Sequence, residues 1–230
     1  MRRQGFLSSY TGIIIVANVL FFIGALVLMN SIGELKAFSF IALMPAAVLT
    51  GHNLWTFVTS MFMHANFTHL FVNMISLMFI GNFVEKLIGK KRFIGLYFIG
   101  GLFAGVLFVL IALILKPDNF ICPAVITSIQ GIPSYCIFAV GASGAIFALG
   151  GLLAVLTPKL PVLVFFIIPM PMWAAMGVLM FGLWALSLSF GLPIGNTAHL
   201  GGLIVGLSYG FYLKKKFPRK TKMISKYFAR

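Results

Sequence analysis

The chain has 230 residues, 61% hydrophobic and only 9% charged, against roughly 25% charged in an average soluble domain. Lys, Arg, Asp and Glu are missing from residues 4–33, 37–84, 93–115, 119–158 and 160–213; about 20 apolar residues suffice to cross a bilayer, so a soluble domain is excluded. A transmembrane β-barrel, which needs apolar and polar residues in alternation, is excluded too, and the composition implies an all-α polytopic membrane protein.

In chain order, Arg2 and Arg3 precede an apolar run at residues 12–29. The run is long for a signal peptide and no A-x-A cleavage site follows, so it reads as a retained signal anchor, helix 1. Residues 38–49 are too short to span and read as an interfacial or re-entrant piece. Helix 2 is expected over residues 66–87, with Asn66 as its N-cap, and helix 3 over 93–115. The two cysteines, Cys122 and Cys136, either pair outside the membrane or remain free thiols. Helix 4 is expected within 137–157, a second short interfacial piece at 160–168, helix 5 at 171–190 and helix 6 at 196–213. Residues 1–213 thus form a six-helix membrane domain, and residues 214–230 a basic tail.

Net charge +14 invites a nucleic-acid reading, but the cations sit between apolar spans and in the tail, as in cytoplasmic loops. With both termini inside, fifteen of the 17 Lys and Arg residues fall inside, and only Lys36 and Lys116 outside. Promoting residues 38–49 to a span breaks that pattern. The expected topology is therefore N-in, C-in with six spans, in a lipid bilayer and with no nucleic-acid partner.

Helices 2, 4 and 6 then all enter from the outer face, and polar residues in their first turns share one depth. Polar groups inside a membrane are costly and mark function by default. Helix 4 opens Gly141-Ala142-Ser143-Gly144, and helix 6 opens Ala198-His199-Leu200-Gly201-Gly202. Small residues at Gly144 and Ala148, and at Ala198, Gly202, Gly206 and Gly210, let helix backbones approach closely. That contact would put Ser143 opposite His199. Helix 2 adds His64, His69 and Asn73, of which His69 and Asn73 share one face. Taken singly, each pattern has a plain structural use: Ser143 bonding back to its own helix, the glycines packing, the histidines joining a polar network. Together they supply a nucleophile, a base and oxyanion donors.

The three arrays resemble the rhomboid family of intramembrane serine proteases. The resemblance rests on H-x4-H-x3-N from His64 to Asn73, G-x-S-G at Gly141–Gly144 and A-H-x-x-G-x-x-x-G at Ala198–Gly206, with Glu85, Gly89 and Trp55 in support. It covers about residues 55–210 and implies the family's minimal six-helix bundle. It implies Ser143 as nucleophile and His199 as general base, with His69 and Asn73 holding the oxyanion; the Ser143 amide, at the start of helix 4, adds another donor. His64 looks like the family's structural histidine, and Gly141, Phe147 and Gly202 have supporting positions. Phe147, four residues after Ser143, replaces the tyrosine of some relatives and can stack on His199. Thr56 stands where many members carry arginine after the loop tryptophan. Substrates, by the same resemblance, are transmembrane segments of other proteins, with helix 5 and residues 191–195 as gate and lid, in a prokaryotic cell membrane with the site open to the outer face.

Exclusions narrow the chemistry. The acidic residues are Glu34, Glu85 and Asp118, all expected at loops or helix ends, so His199 has no carboxylate to orient it and a Ser–His dyad is expected. Two membrane-embedded aspartates and H-E-x-x-H are both missing, which argues against aspartyl and zinc proteases, and proton-coupled transport lacks its carboxylates. No cofactor and no metal are expected. The alternatives are a non-catalytic rhomboid-like protein that binds or escorts membrane clients and, more remotely, a haem or metal carrier using His69 and His199.

Overall fold

The structure, a computed structural model, describes residues 8–115, 138–165, 167–190 and 195–228. Asp118, Cys122 and Cys136, and residues 191–194 of the expected lid, lie outside them.

Helix α1 (Tyr10–Ile32) begins at Ser9, whose side chain accepts from Gly12 N, and stops at Gly33 with φ 91°. Its 23 residues are about 35 Å long at 1.5 Å per residue. The expected interfacial stretch is broken helix: α2 (Glu34–Ile41), then α3 (Pro45–Leu49) with Pro45 in its first turn. Between them Leu43 pairs with Ala139, N to O, at 3.1 and 2.9 Å. A short α4 (Thr56–Thr59) follows. Trp55 Nε1 donates to Phe40 O at 2.8 Å and Thr56 Oγ1 to Asn53 O at 2.6 Å, so these two side chains tie the loop together.

Helix 2 of the sequence reading is three pieces in one rod: α5 (Phe67–Ser76), a π-helical turn (Leu77–Gly81) and α6 (Asn82–Ile88). The wide turn was not expected. At Gly81 an added Cβ would meet Thr11 Cγ2 and Leu77 Cδ1, each at 2.9 Å, so a side chain there would have to push the rod's neighbours aside where it touches α1. Gly89, at φ 84°, turns the chain into α7 (Lys90–Leu115).

Glu85 corrects the sequence reading. It lies near the end of α6, as expected, but is a buried carboxylate. Its carboxylate accepts from Tyr10 N (3.0 Å), Thr11 N (2.9 Å) and Thr11 Oγ1 (2.8 Å). A negative group at a helix N-terminus satisfies otherwise unpaired amides and complements the helix dipole, so Glu85 locks α1 to α6.

Helix α8 (Ser143–Leu156) is the axis of the bundle. Twelve of its 14 residues are buried, as expected of a helix apolar on every side. The second short apolar piece, expected at the interface, is a hairpin of β1 (Pro161–Val164) and β2 (Ile168–Pro171) turning at Phe165, φ 51°. This departs from the all-α expectation. Then come α9 (Met172–Phe190), α10 (Asn196–Lys216) and α11 (Pro218–Tyr227).

Among the described residues four helices are long and apolar enough to cross a membrane: Tyr10–Ile32, Phe67–Ile88, Lys90–Ile114 and Met172–Ser189. Of the six expected spans, the two outside that group are α8, about 21 Å long by its 14 residues, and α10, diluted by Gly, Asn, His and Tyr. These two pack on each other so closely that backbones touch. A Cβ on Gly202 would collide with the Gly144 carbonyl, and one on Gly206 with the Ala148 carbonyl. One on Gly201 would lie 2.8 Å from Ala104 Cα of α7. Shielded by α7 and by each other, α8 and α10 can carry polar groups that a lipid-facing helix cannot.

Candidate active site

Ser143 is the first residue of α8, where amides not used within the helix point outward. The turn delivering it needs Gly141. That residue has φ 116°, a region favouring glycine, and an added Cβ would lie 2.8 Å from His69 Cε1. Gly141 N donates to Ser60 O at 2.8 Å, which ties the turn to the chain just before α5.

His199 sits in the first turn of α10, buried, its amide bonded to Gly195 O at 3.0 Å. Its Nε2 lies 2.8 Å from Ser143 Oγ. The Phe147 ring lies flat on the imidazole, centroids 4.5 Å apart and planes 11° apart. His199 Nδ1 is buried with no hydrogen-bond partner among the described residues, and the Glu85 carboxylate is spent on α1. The aromatic ring, not a carboxylate, fixes the plane of this imidazole.

On α5, Asn66 caps the helix by accepting from His69 N at 2.8 Å. Asn73 is buried, and its Nδ2 donates back to His69 O at 2.8 Å. This leaves the second Nδ2 hydrogen for another acceptor. His64 precedes the helix, with its ring edge-on to that of His69 at 5.1 Å and its Nδ1 3.2 Å from Phe62 O. Burial, together with His69 beside it, pushes the His64 pKa down to about 4, so the ring is neutral near pH 7.

Ser143, His199, His69, Asn73, Gly141 and Phe147 all line one cavity of about 860 Å³. His64 stands behind His69, and Gly202 lies in the α8–α10 seam. The cavity also runs between the π turn (Phe79, Ile80) and α9 (Met176, Leu179), down to β1 and Phe165. Sequence reasoning missed this lower wall, because neither a π turn nor a short Pro-rich hairpin has a strong local signature. Among the described residues no three His, Cys, Asp or Glu side chains gather where they could hold a metal.

Comparison with known proteins places this geometry in context. The Rhomboid domain family matches residues 51–216. RHOMBOID-like protein 5 of Arabidopsis thaliana is 31% identical over 160 residues, which is 69% of this chain and 44% of that protein. Rhomboid protein 1, mitochondrial, of Saccharomyces cerevisiae is 30% identical over 168 residues, 72% of this chain and 43% of that protein. Inactive RHOMBOID-like protein 8 of Arabidopsis thaliana is 34% identical over 64 residues, 28% of this chain and 18% of that protein. The chain spans less than half the length of these relatives. They come from a plant and a yeast, and one name carries the word mitochondrial, so they lend no support to the expected prokaryotic membrane.

Proposed function

Because this chain belongs to the rhomboid family of integral membrane proteins, we propose that it is an intramembrane serine endopeptidase working through a Ser143–His199 dyad. The observation that carries this reading is the 2.8 Å separation of Ser143 Oγ and His199 Nε2 inside a cavity deep in an apolar bundle. With Nδ1 protonated, Nε2 accepts the Oγ proton as Oγ attacks the carbonyl carbon of a peptide bond. His199 then returns that proton to the leaving amine. Water, deprotonated by the same imidazole, hydrolyses the acyl-serine ester and restores Ser143.

Charge on the tetrahedral oxygen needs donors already in position. The Ser143 amide, the free Nδ2 hydrogen of Asn73 and the His69 ring are the groups at hand. Phe147 positions His199, Gly141 makes room for His69, Gly202 allows the α8–α10 contact, and His64 braces His69. No cofactor or metal enters the scheme. The partners are the lipid bilayer and transmembrane segments of other proteins, entering between the π turn and α9. Residues 1–213 are read as a six-span domain with both termini on the basic side and the site open to the opposite face. Residues 214–230 are read as its basic tail.

A second reading, a non-catalytic member that binds or escorts membrane clients, is favoured by the relative named inactive. Purified protein incubated with a fluorophosphonate probe and with a panel of transmembrane substrates separates the two. Labelling at Ser143 and cleaved products support the protease. Client binding with neither labelling nor cleavage supports the second reading.

A further inference from the structure

The final helix is not an extension of α10. Phe217 ends α10, and Pro218 in the first turn of α11 prevents a continuous helix, because proline lacks the N–H and clashes with the preceding turn. The reversed chain is then fastened at both ends. Phe217 joins the main core, with the Arg92 guanidinium 5.5 Å from its ring. Phe228, just beyond α11, meets Phe83 of α6 edge-on at 5.5 Å. Helix α11 therefore lies across the end of the bundle.

The ten residues of α11, with Phe228 after them, present three faces at helical spacing. Thr221, Ile224 and Phe228 turn toward the bundle, Thr221 buried and the other two half-buried. Arg219, Lys222 and Lys226 form an exposed basic face. Met223 and Tyr227, one turn apart, are 70% and 75% exposed. An apolar ridge beside a basic ridge, on a helix fastened flat, suits a bilayer surface, with the apolar groups in the acyl boundary and the cations among headgroups.

Among the described residues the charge around it has no internal counterpart. Exposed cations continue through Lys214–Lys216 and the α6–α7 turn at Lys86, Lys90, Lys91 and Arg92. The chain has three acidic residues. Glu85 is buried with its three donors, and Glu34 opens α2, a full α1 length (about 35 Å) away. Among the described residues no carboxylate is left to neutralise this face.

We propose that α11 is a membrane-surface element that binds anionic phospholipids of the leaflet on the basic face. Arg219, Lys222 and Lys226 hold the phosphates, and Met223 and Tyr227 enter the acyl boundary. The choice of leaflet rests on the proposed topology; the lipid preference does not.

The test uses the full chain, purified in detergent and stripped of lipid. It is offered phosphatidylglycerol and phosphatidylcholine in equal amounts, with retained lipid counted by native mass spectrometry. Preferential retention of phosphatidylglycerol is expected. The triple variant Arg219→Gln/Lys222→Gln/Lys226→Gln should retain it at least ~10-fold less well, since each surface cation contributes to anionic-lipid attraction. Met223→Ser/Tyr227→Ser should lower total retention with the preference kept. All these side chains are exposed, and unchanged unfolding temperatures establish that the variants fold.

Equal retention of the two lipids by the wild type would overturn the proposal. So would a triple variant that behaves as wild type while Lys86→Gln/Lys90→Gln/Lys91→Gln loses the lipid, or displacement of phosphatidylglycerol by millimolar glycerol phosphate. Lys226→Cys, with the two native thiols removed as Cys122→Ser and Cys136→Ser, probed with an impermeant maleimide on sealed vesicles, tests the leaflet separately. Labelling from the face opposite the basic one would overturn the leaflet and the topology beneath it, with the detergent result untouched.

Discussion

The ring of Phe147 lies parallel to that of His199, 4.5 Å between centroids, while among the described residues no hydrogen bond holds the imidazole at Nδ1. Aromatic stacking contributes about 0.5–1.5 kcal/mol beyond burial. Phe147→Leu keeps an apolar group of similar size and removes the flat surface. Turnover should fall by up to ~10-fold with KM unchanged, and Phe147→Tyr should restore it. A rise in KM at constant turnover would mean that Phe147 touches substrate instead.

Ser143→Ala should abolish both cleavage and probe labelling. His199→Ala should be nearly as damaging, because an unassisted serine is a poor nucleophile near neutral pH. His69→Ala and Asn73→Ala each remove one donor among several, and single oxyanion donors are worth about 10²–10³ in rate. Each should stay near or below the lower figure. A Ser143→Ala enzyme that still cleaves where His199→Ala does not would show that the nucleophile is another residue.

Gly202→Val should disrupt the α8–α10 seam, because its side chain has only the Gly144 carbonyl to occupy. Activity and thermal stability in detergent should both drop. Gly177→Ala in α9 is the matched control: nothing lies within 4 Å of the added atom, and stability should hold or rise slightly. Equal behaviour of the two variants would show that backbone contact in the seam is dispensable.

Glu85→Gln places an amide NH2 among three donors that now share a carboxylate. Leaving a buried donor unsatisfied costs about 1–3 kcal/mol. The unfolding temperature in detergent should fall, with probe labelling of Ser143 intact in the protein that remains folded. Thr11→Ala, which deletes one of the three bonds, should lower it less.

His64 gives the molecule a defined acid sensitivity. Its folded-state pKa, about 4, lies below the unfolded value near 6.5. As pH falls, the unfolded chain therefore takes up the proton first. Stability from the neutral ring is complete above about pH 6.5 and is lost as pH descends toward about 4, by roughly 3 kcal/mol in all. Unfolding temperatures measured across that window should drop, and His64→Phe should flatten the profile. An identical slope in the variant would assign the acid sensitivity elsewhere.

The apolar rods and the polar residues within them stand out in the sequence for one reason. In a chain so poor in charge, His64, His69, Asn73, Ser143 and His199 have no solvent role that accounts for them, and small residues at intervals of four announce which helices touch. The structure brings these side chains or their supports to one cavity. What the pattern concealed depends on long-range geometry. Glu85 looks like a turn residue until α1 is docked over it, 74 positions away in sequence. Residues 161–171 are apolar enough for any buried element, and only the pairing of Val162 with Met170 and Val164 with Ile168 makes them a hairpin. The tail reads as a charge cluster, and its third face appears only where Phe228 meets Phe83.

The π turn at Leu77–Gly81 has a consequence for alignment along its rod. Such a turn accommodates one residue more than an α-helical turn, so it resets the phase of everything after it by about 100°. Upstream of it, His69 and Asn73 face the cavity. Downstream, Glu85 faces the start of α1. Removing a single residue between positions 77 and 81 would restore a uniform α-helix and dephase the two halves. Either the cavity would lose its donors or α1 would lose its anchor. The five-residue turn is thus the joint that lets one helix keep two appointments on differently oriented partners, and changes of length there are far less tolerable than changes of side chain.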